Sequence, residues 1–148
     1  MTESADFDLA SLDAQDEMTL DIIDPRSGKP TGWVWTFYGP GHTKTVELSD
    51  RISRRILSQA REKERARVNN KKWKGDDQTP DEVRGELIDV LVGRTKGFTP
   101  VKLNGELIEY SEAAARRILL DPRKGPVLNQ ISEFLRDDDS FLQRSAKS

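Results

Sequence analysis

The segment WVWTFY, residues 33–38, is the most apolar stretch of this chain, and it alternates between two faces. Trp33, Trp35 and Phe37 fall on one face, and a period of two predicts a β-strand. The preceding MTLDIID predicts a partner strand, and DPRSGKPTG between them predicts a turn. A hairpin is marginal alone, so its aromatic face should pack against another element and form core rather than a catalytic wall.

The run that follows, RISRRILSQAREKERARV, predicts a helix with Ser49 as N-cap, extending to about Val68. Its apolar stripe is expected to cover the aromatic hairpin for about three turns. Beyond Ala60 the stripe thins, so the second half of the helix is expected to project into solvent. The stripe consists of Leu48, Ile52, Ile56, Leu57 and Ala60.

The remaining chain predicts a helix, a hairpin and two more helices. Thr79-Pro80 with Glu82 is a helix start, for a helix ending at Gly93. Asn104-Gly105 is typical of a two-residue type I′ turn between VKL and ELI. Ser111 should cap a short helix that Asp121-Pro122 ends, and a last helix begins near Pro126. The expected stripes are Val83, Leu87, Val90 and Leu91 with Ile88 nearby, then Val127, Ile131, Phe134 and Leu135.

The predicted fold class is α+β and mostly helical, with two β-hairpins that are each followed by α-helices. The apolar fraction of 34% allows one lean core in 148 residues. The expected organisation is a disordered acidic tail over 1–16, one domain over 17–138 and a flexible tail over 139–148. Within the domain, 17–74 holds a hairpin plus basic helix, and 79–138 holds helix, hairpin and two helices.

Charge is strongly segregated along the sequence. Residues 1–24 carry eight acids and no base, whereas residues 51–74 carry ten bases and two acids. Such separation predicts a charged partner or docking between the two segments. The candidate contact residues on the basic helix are Arg54, Arg55, Arg61, Arg65 and Arg67. Nucleic-acid binding by residues 51–74, with Trp73 or the hairpin aromatics stacking on bases, is the less favoured alternative, because the chain is acidic overall.

Catalytic and metal motifs are sparse. There are no cysteines, and His42 is the single histidine, in a loop without a partner motif. GPGHTKT lacks the spacing of a phosphate-binding loop, and Asp137 to Asp139 lack the rest of a calcium loop. The sequence predicts no catalytic residue, metal or cofactor, and therefore no enzyme. No apolar run approaches a membrane span, and the acidic first residues do not predict a signal peptide.

Two segments resemble tail assembly chaperones of long-tailed bacteriophages. One is DIIDPRSGKPTGWVWTFYGPG. The other is FTPVKLNGELIEYSEAAARRILLDPRKGPVLNQISEFLRDDDSFL, with Phe98, Asn104-Gly105, Ser111, Asp121-Pro122, the amphipathic run Leu128 to Leu135, and Asp138 to Phe141 in the family's order. Together they cover a little under half of the chain. The order of these patterns carries the resemblance, and no single pattern is diagnostic.

The resemblance implies a non-enzymatic protein of the host cell cytoplasm that is absent from the mature virion. Its expected partners are the tape measure protein, which it would keep soluble, and tail tube subunits; a homo-oligomer is possible. The candidate partner-binding residues are Ile131, Phe134, Leu135, Phe141 and Leu142. Packing of this stripe on the helix after Pro80 is an equally open interpretation. A nucleic-acid-binding protein or a head–tail joining protein is the alternative function.

Overall fold

The computed structural model describes residues 6–147, and for Asp76 and residues 138–147 it describes the backbone alone. The helices are α1 (Thr43–Val68), α2 (Pro80–Arg94), α3 (Glu112–Leu120) and α4 (Gly125–Lys147). The strands are β1 (Glu17–Ile23), β2 (Pro30–Tyr38), β3 (Thr95–Phe98), β4 (Val101–Leu103) and β5 (Glu106–Ile108). The fold is α+β and mostly helical, as predicted.

The first hairpin is confirmed, and a third strand joins it. β1 pairs antiparallel with β2, and β2 pairs antiparallel with β3, which gives the order β1-β2-β3. Trp35 lies opposite Leu20 on one side and opposite Phe98 on the other. Since β3 follows α2 without a loop, the sheet connects the two halves of the chain.

The second hairpin has the predicted turn. Val101 pairs with Ile108 and Leu103 with Glu106, and Asn104 and Gly105 both have positive φ, at 53° and 83°. Positive φ at both central residues defines a type I′ turn, whose twist matches that of the flanking strands. β4 and β5 form a separate two-stranded sheet.

Three of the predicted helix ends are confirmed by their hydrogen bonds. The Thr79 hydroxyl accepts from the Glu82 amide at 3.2 Å, and Ser111 accepts from the Ala114 amide at 3.0 Å. Asp121 is the C-cap of α3, and its carboxylate accepts from the Arg123 amide at 3.0 Å. That bond lowers the pKa of Asp121 below its ordinary value. The last helix runs to Lys147, well past the predicted end near residue 138.

The predicted start of α1 was wrong. The helix begins at Thr43 rather than near Ser49, because His42 serves as the N-cap: its Nδ1 accepts from the Lys44 amide at 3.0 Å. The His42 ring also lies 4.6 Å from the Tyr38 ring. The single histidine of the sequence therefore has a structural role at the base of α1.

The aromatic strand forms the core, as predicted, but its cover is different. Trp35 and Phe37 are fully buried and Trp33 is half-buried. Their ring contacts go to Phe98 of β3 and Phe134 of α4 rather than to α1. The prediction that α1 covers this face was wrong, because β3 and α4 occupy that position. The buried residues around them come from α2, α3, α4 and β5: Ile88, Leu91, Val92, Ala115, Ile118, Leu119, Ile131, Leu135 and Ile108.

Two close contacts fix the end of β2. The Arg94 guanidinium is buried at the end of α2 and donates from Nε and one terminal nitrogen to the Tyr38 carbonyl, at 3.2 and 3.0 Å. Next to Tyr38, the Gly39 amide donates to the Asp16 carbonyl at 2.6 Å. A Cβ at Gly39 would lie 1.7 Å from the Gln15 carbonyl oxygen, so only glycine allows this crossing.

Candidate interaction surface

The predicted partner stripe on α4 is part of the core. Ile131 is fully buried and Leu135 nearly so, while Phe134 is half-buried with its ring 5.7 Å from that of Phe37. The Gln130 side chain bonds in both directions with the Ile23 backbone, at 2.8 and 2.9 Å. Ile131 and Leu135 therefore do not form a free surface, and this part of the prediction was wrong, whereas the half-buried Phe134 is partly accessible.

The other two residues of that prediction, Phe141 and Leu142, lie outside the described side chains.

The stripe also does not pack mainly on α2, which was the other interpretation. It contacts the sheet, since α4 packs along β1 and Phe134 meets β2. The α2 stripe is likewise only partly buried: Ile88, Leu91 and Val92 face the core, whereas Val83 and Leu87 are exposed.

α1 packs on α2 through its first half. Leu48 is buried against α2, where a Cβ at Gly93 would lie 3.1 Å from Leu48 Cδ2. Ile52 is half-buried, and Arg55 pairs with Glu86 of α2 at 3.7 Å. From Ile56 to Val68 nearly every side chain is exposed, so the second half of α1 extends beyond α2.

The five predicted arginines of α1 divide into two groups. Arg55 pairs with Glu86, and Arg67 pairs with Glu64 with its Nε 3.0 Å from the carboxylate. The Glu64–Arg67 bond lowers the pKa of Glu64 and raises the pKa of Arg67. Arg54, Arg61 and Arg65 make no ion pair with any described residue.

The three unpaired arginines share one face of α1 with two exposed apolar residues. Positions 54, 57, 61, 65 and 68 are spaced three or four apart, which places them on one side of a helix. Leu57 and Val68 are 57% and 68% exposed. We call this set, Arg54, Leu57, Arg61, Arg65 and Val68, the arginine face. Sequence reasoning identified its arginines but assigned Leu57 to the covered stripe.

The chain that follows α1 packs against the end of the helix through Trp73. Lys63 Nζ lies 5.6 Å from the centre of the Trp73 ring, and Gly75 lies against that ring so closely that a Cβ would be 2.3 Å away. Lys72 pairs with Asp77 at 2.6 Å. Trp73 is half-buried by these contacts. Together with the burial of Trp35, this leaves less aromatic surface for base stacking than the sequence suggested.

Within residues 6–147, apart from the side chains that are not described, no three His, Cys, Asp or Glu residues cluster as metal ligands would. Asp137 lies in α4, and the side chains of Asp138 and Asp139 are outside the description. The remaining pKa shifts have local causes. Glu17 raises the pKa of Lys96 by pairing with it, and burial raises the pKa of Tyr110, whose hydroxyl donates to the Thr95 carbonyl at 3.3 Å.

No protein-family model, curated protein or solved structure matches this chain. Among the helices of the described part, none has both the length and the apolar character needed to span a membrane. The surface itself and the sequence resemblance are therefore the two sources of evidence on function.

Proposed function

We propose that this protein is a tail assembly chaperone of a long-tailed bacteriophage. In this role it binds the tape measure protein and brings tail tube subunits to it, without catalysis. It acts in the host cell cytoplasm and is left out of the mature virion. The resemblance supports this proposal, and so does the presence of both hairpins, the Ser111 cap and the Asp121-Pro122 break in the expected order.

The observation that carries the proposal is the arginine face. A tape measure protein is a long helical chain, and its exposed apolar stripes would aggregate unless they are covered. Leu57 and Val68 provide apolar contacts, and Arg54, Arg61 and Arg65 provide charges that no described residue neutralises. Since α1 extends beyond α2, a client helix can lie along it without displacing the core.

The test is co-expression with the tape measure protein encoded in the same genome. Wild-type protein should keep the tape measure protein in the soluble fraction, whereas Leu57→Asp should reduce that fraction several-fold. Leu107→Asp is the matched control, because Leu107 is 58% exposed, close to the 57% of Leu57, but lies on β5. Equal loss with both variants, or no loss with either, contradicts binding at this face.

A second measurement tests the role itself. Purified mature particles of the phage should contain no stoichiometric amount of this chain by mass spectrometry. A fixed copy number per particle would instead indicate a structural head–tail component, the alternative that the sequence leaves open.

The unpaired arginines also favour a second candidate, nucleic-acid binding through residues 51–74. Phosphate contacts would make retention on heparin or DNA fall steeply with salt. Neutralising the unpaired Arg54, Arg61 and Arg65 should then abolish retention. The burial of Trp35 and the packing of Trp73 against Lys63 and Gly75 make this candidate the weaker one.

A further inference from the structure

The acidic segment Asp6–Asp13 is exposed, and its carboxylates and large apolar side chains are available for binding. Phe7, Leu9 and Leu12 are all more than half exposed. The segment's hydrogen bonds are local: the Asp8 carboxylate accepts from the Ala10 amide at 3.0 Å, and the Asp8 and Ala10 carbonyls accept from residues just after them. Asp6, Asp8 and Asp13 form no ion pair with any described residue.

The arginine face of α1 is complementary to this segment in both charge and apolar character. The segment combines three carboxylates with Phe7, Leu9 and Leu12, and the face combines three arginines with Leu57 and Val68. Opposite charges attract a segment to such a face, and burial of leucine and phenylalanine against Leu57 then adds apolar contact.

The geometry at Gly39 places Asp16, three residues after the segment ends, at the base of α1. The Asp16 carbonyl is held by the Gly39 amide, and Gly39 in turn accepts from His42, the N-cap of α1. From Asp16, the nine residues back to Phe7 can span about 30 Å when extended. Leu57 lies 14 residues into α1 from Thr43, which is about 21 Å along the helix axis.

We propose that the acidic segment, which makes no ion pair with α1 in the arrangement described above, moves and docks on the arginine face of its own chain. Phe7 and Leu9 pack beside Leu57, and Asp6, Asp8 and Asp13 pair with Arg54 and Arg61. The short tether favours docking within one chain, because a short tether gives an effective concentration in the millimolar range. This inference goes beyond the proposed function and can hold without it, since the docking involves no client. The docked segment and a client helix would compete for the arginine face.

The absence of cysteine makes a distance measurement straightforward. Ala10→Cys and Ser58→Cys place one spin label on the segment and one beside the arginine face, both at exposed positions. At low salt, the doubly labelled protein should show a dominant short-distance population. That population should fall several-fold at about 1 M salt, where the Debye length is only about 3 Å.

Two charge variants and a matched control decide the result. Converting Arg54, Arg61 and Arg65 to Gln, or Asp6, Asp8 and Asp13 to Asn, should each remove the short-distance population. The control converts Arg26, Lys29 and Lys102 to Gln, three exposed bases far from α1 in sequence, and should leave it intact. Circular dichroism checks that each variant keeps its helical content.

Three outcomes would overturn the proposal. The first is a long-distance population that neither salt nor the charge variants change. The second is an equal loss of the short-distance population in the control variant. The third is a short distance that appears only when singly labelled Ala10→Cys and Ser58→Cys proteins are mixed, which would place the contact between two copies.

Discussion

α4 and α1 are the two longest helices, with 23 and 26 residues, and they differ sharply in how they use their apolar side chains. On α4, Ile131 and Leu135 are buried and Phe134 reaches the aromatic sheet. On α1, Leu48 is buried, whereas Ile56 and Leu57 are 58% and 57% exposed. Both helices carry an apolar stripe, but only α4 packs against the sheet.

The comparison shows that stripe spacing alone does not identify a helix's neighbour. A period of three or four residues marks the side of a helix that can be buried. The position of the neighbour depends on contacts far apart in sequence, here the pairing of β2 with β3. β3 places Phe98 beside Trp35, and Phe134 of α4 packs against Phe37 of the same sheet. α1 packs on α2 instead.

The largest expected effect is on the free energy of unfolding, and it distinguishes the buried stripe of α4 from the exposed stripe of α1. Ile131→Ala should lower the free energy of unfolding by about 2–5 kcal/mol, because it leaves a cavity at a fully buried site. Ile56→Ala, at a site that is 58% exposed, should cost less than about 1 kcal/mol. Urea denaturation measures both. Similar losses for the two variants would mean that α1 is as tightly packed as α4.

A smaller effect is expected at the joint between the sheet and α2. Arg94→Leu removes two hydrogen bonds to the buried end of β2 and should cost about 1–3 kcal/mol, since the Tyr38 carbonyl loses its charged donor. Arg117→Leu is the control, because Arg117 is exposed on α3. An Arg94 variant as stable as the Arg117 variant would contradict a role for this joint.

The next effect concerns α2, which separates α1 from the core. Thr79→Ala should cost about 1 kcal/mol, because the Glu82 amide loses its capping oxygen. Thr79→Ser keeps a hydroxyl and should recover most of the stability in thermal unfolding. If Ser and Ala prove equivalent at this position, the cap contributes nothing measurable.

The smallest effect is expected on the arginine face. At about 1 M salt, where the acidic segment should be released, Leu57→Ala should change the free energy of unfolding by no more than about 0.5 kcal/mol, because Leu57 is then exposed and both residues favour helices. Amide hydrogen exchange should likewise be faster around Leu57 than around Ile131. A cost near that of Ile131→Ala would show that something in the folded chain covers Leu57.

Local signals predicted local structure well. The Asn104-Gly105 turn, the Thr79 and Ser111 caps and the Asp121-Pro122 break each depend on a few adjacent residues, and the structure contains all of them. The alternation of Trp35 and Phe37 likewise predicted their burial. The start of α1 was missed because a histidine N-cap is less characteristic than the Ser49-Asp50 pair that follows it.

Long-range features could not be predicted in this way. β3 is four residues long, begins where α2 ends and contains Gly97, so it has neither alternation nor a turn before it. Which arginines form ion pairs also depends on the fold, since Arg55 is paired only because Glu86 of α2 lies beside it. The exposure of Leu57, by contrast, agrees with helical spacing, because nine residues, or about two and a half turns, place Leu57 on the side of α1 opposite to the buried Leu48.

The direct passage from α2 into β3 has a mechanical consequence. With Arg94 ending the helix and Thr95 beginning the strand, no slack chain separates the two. Because Leu48 of α1 packs against Gly93 near the end of α2, a displacement of α1 that reaches α2 would meet no flexible linker before β3. Such a displacement would act directly on the contact between the rings of Phe98 and Trp35.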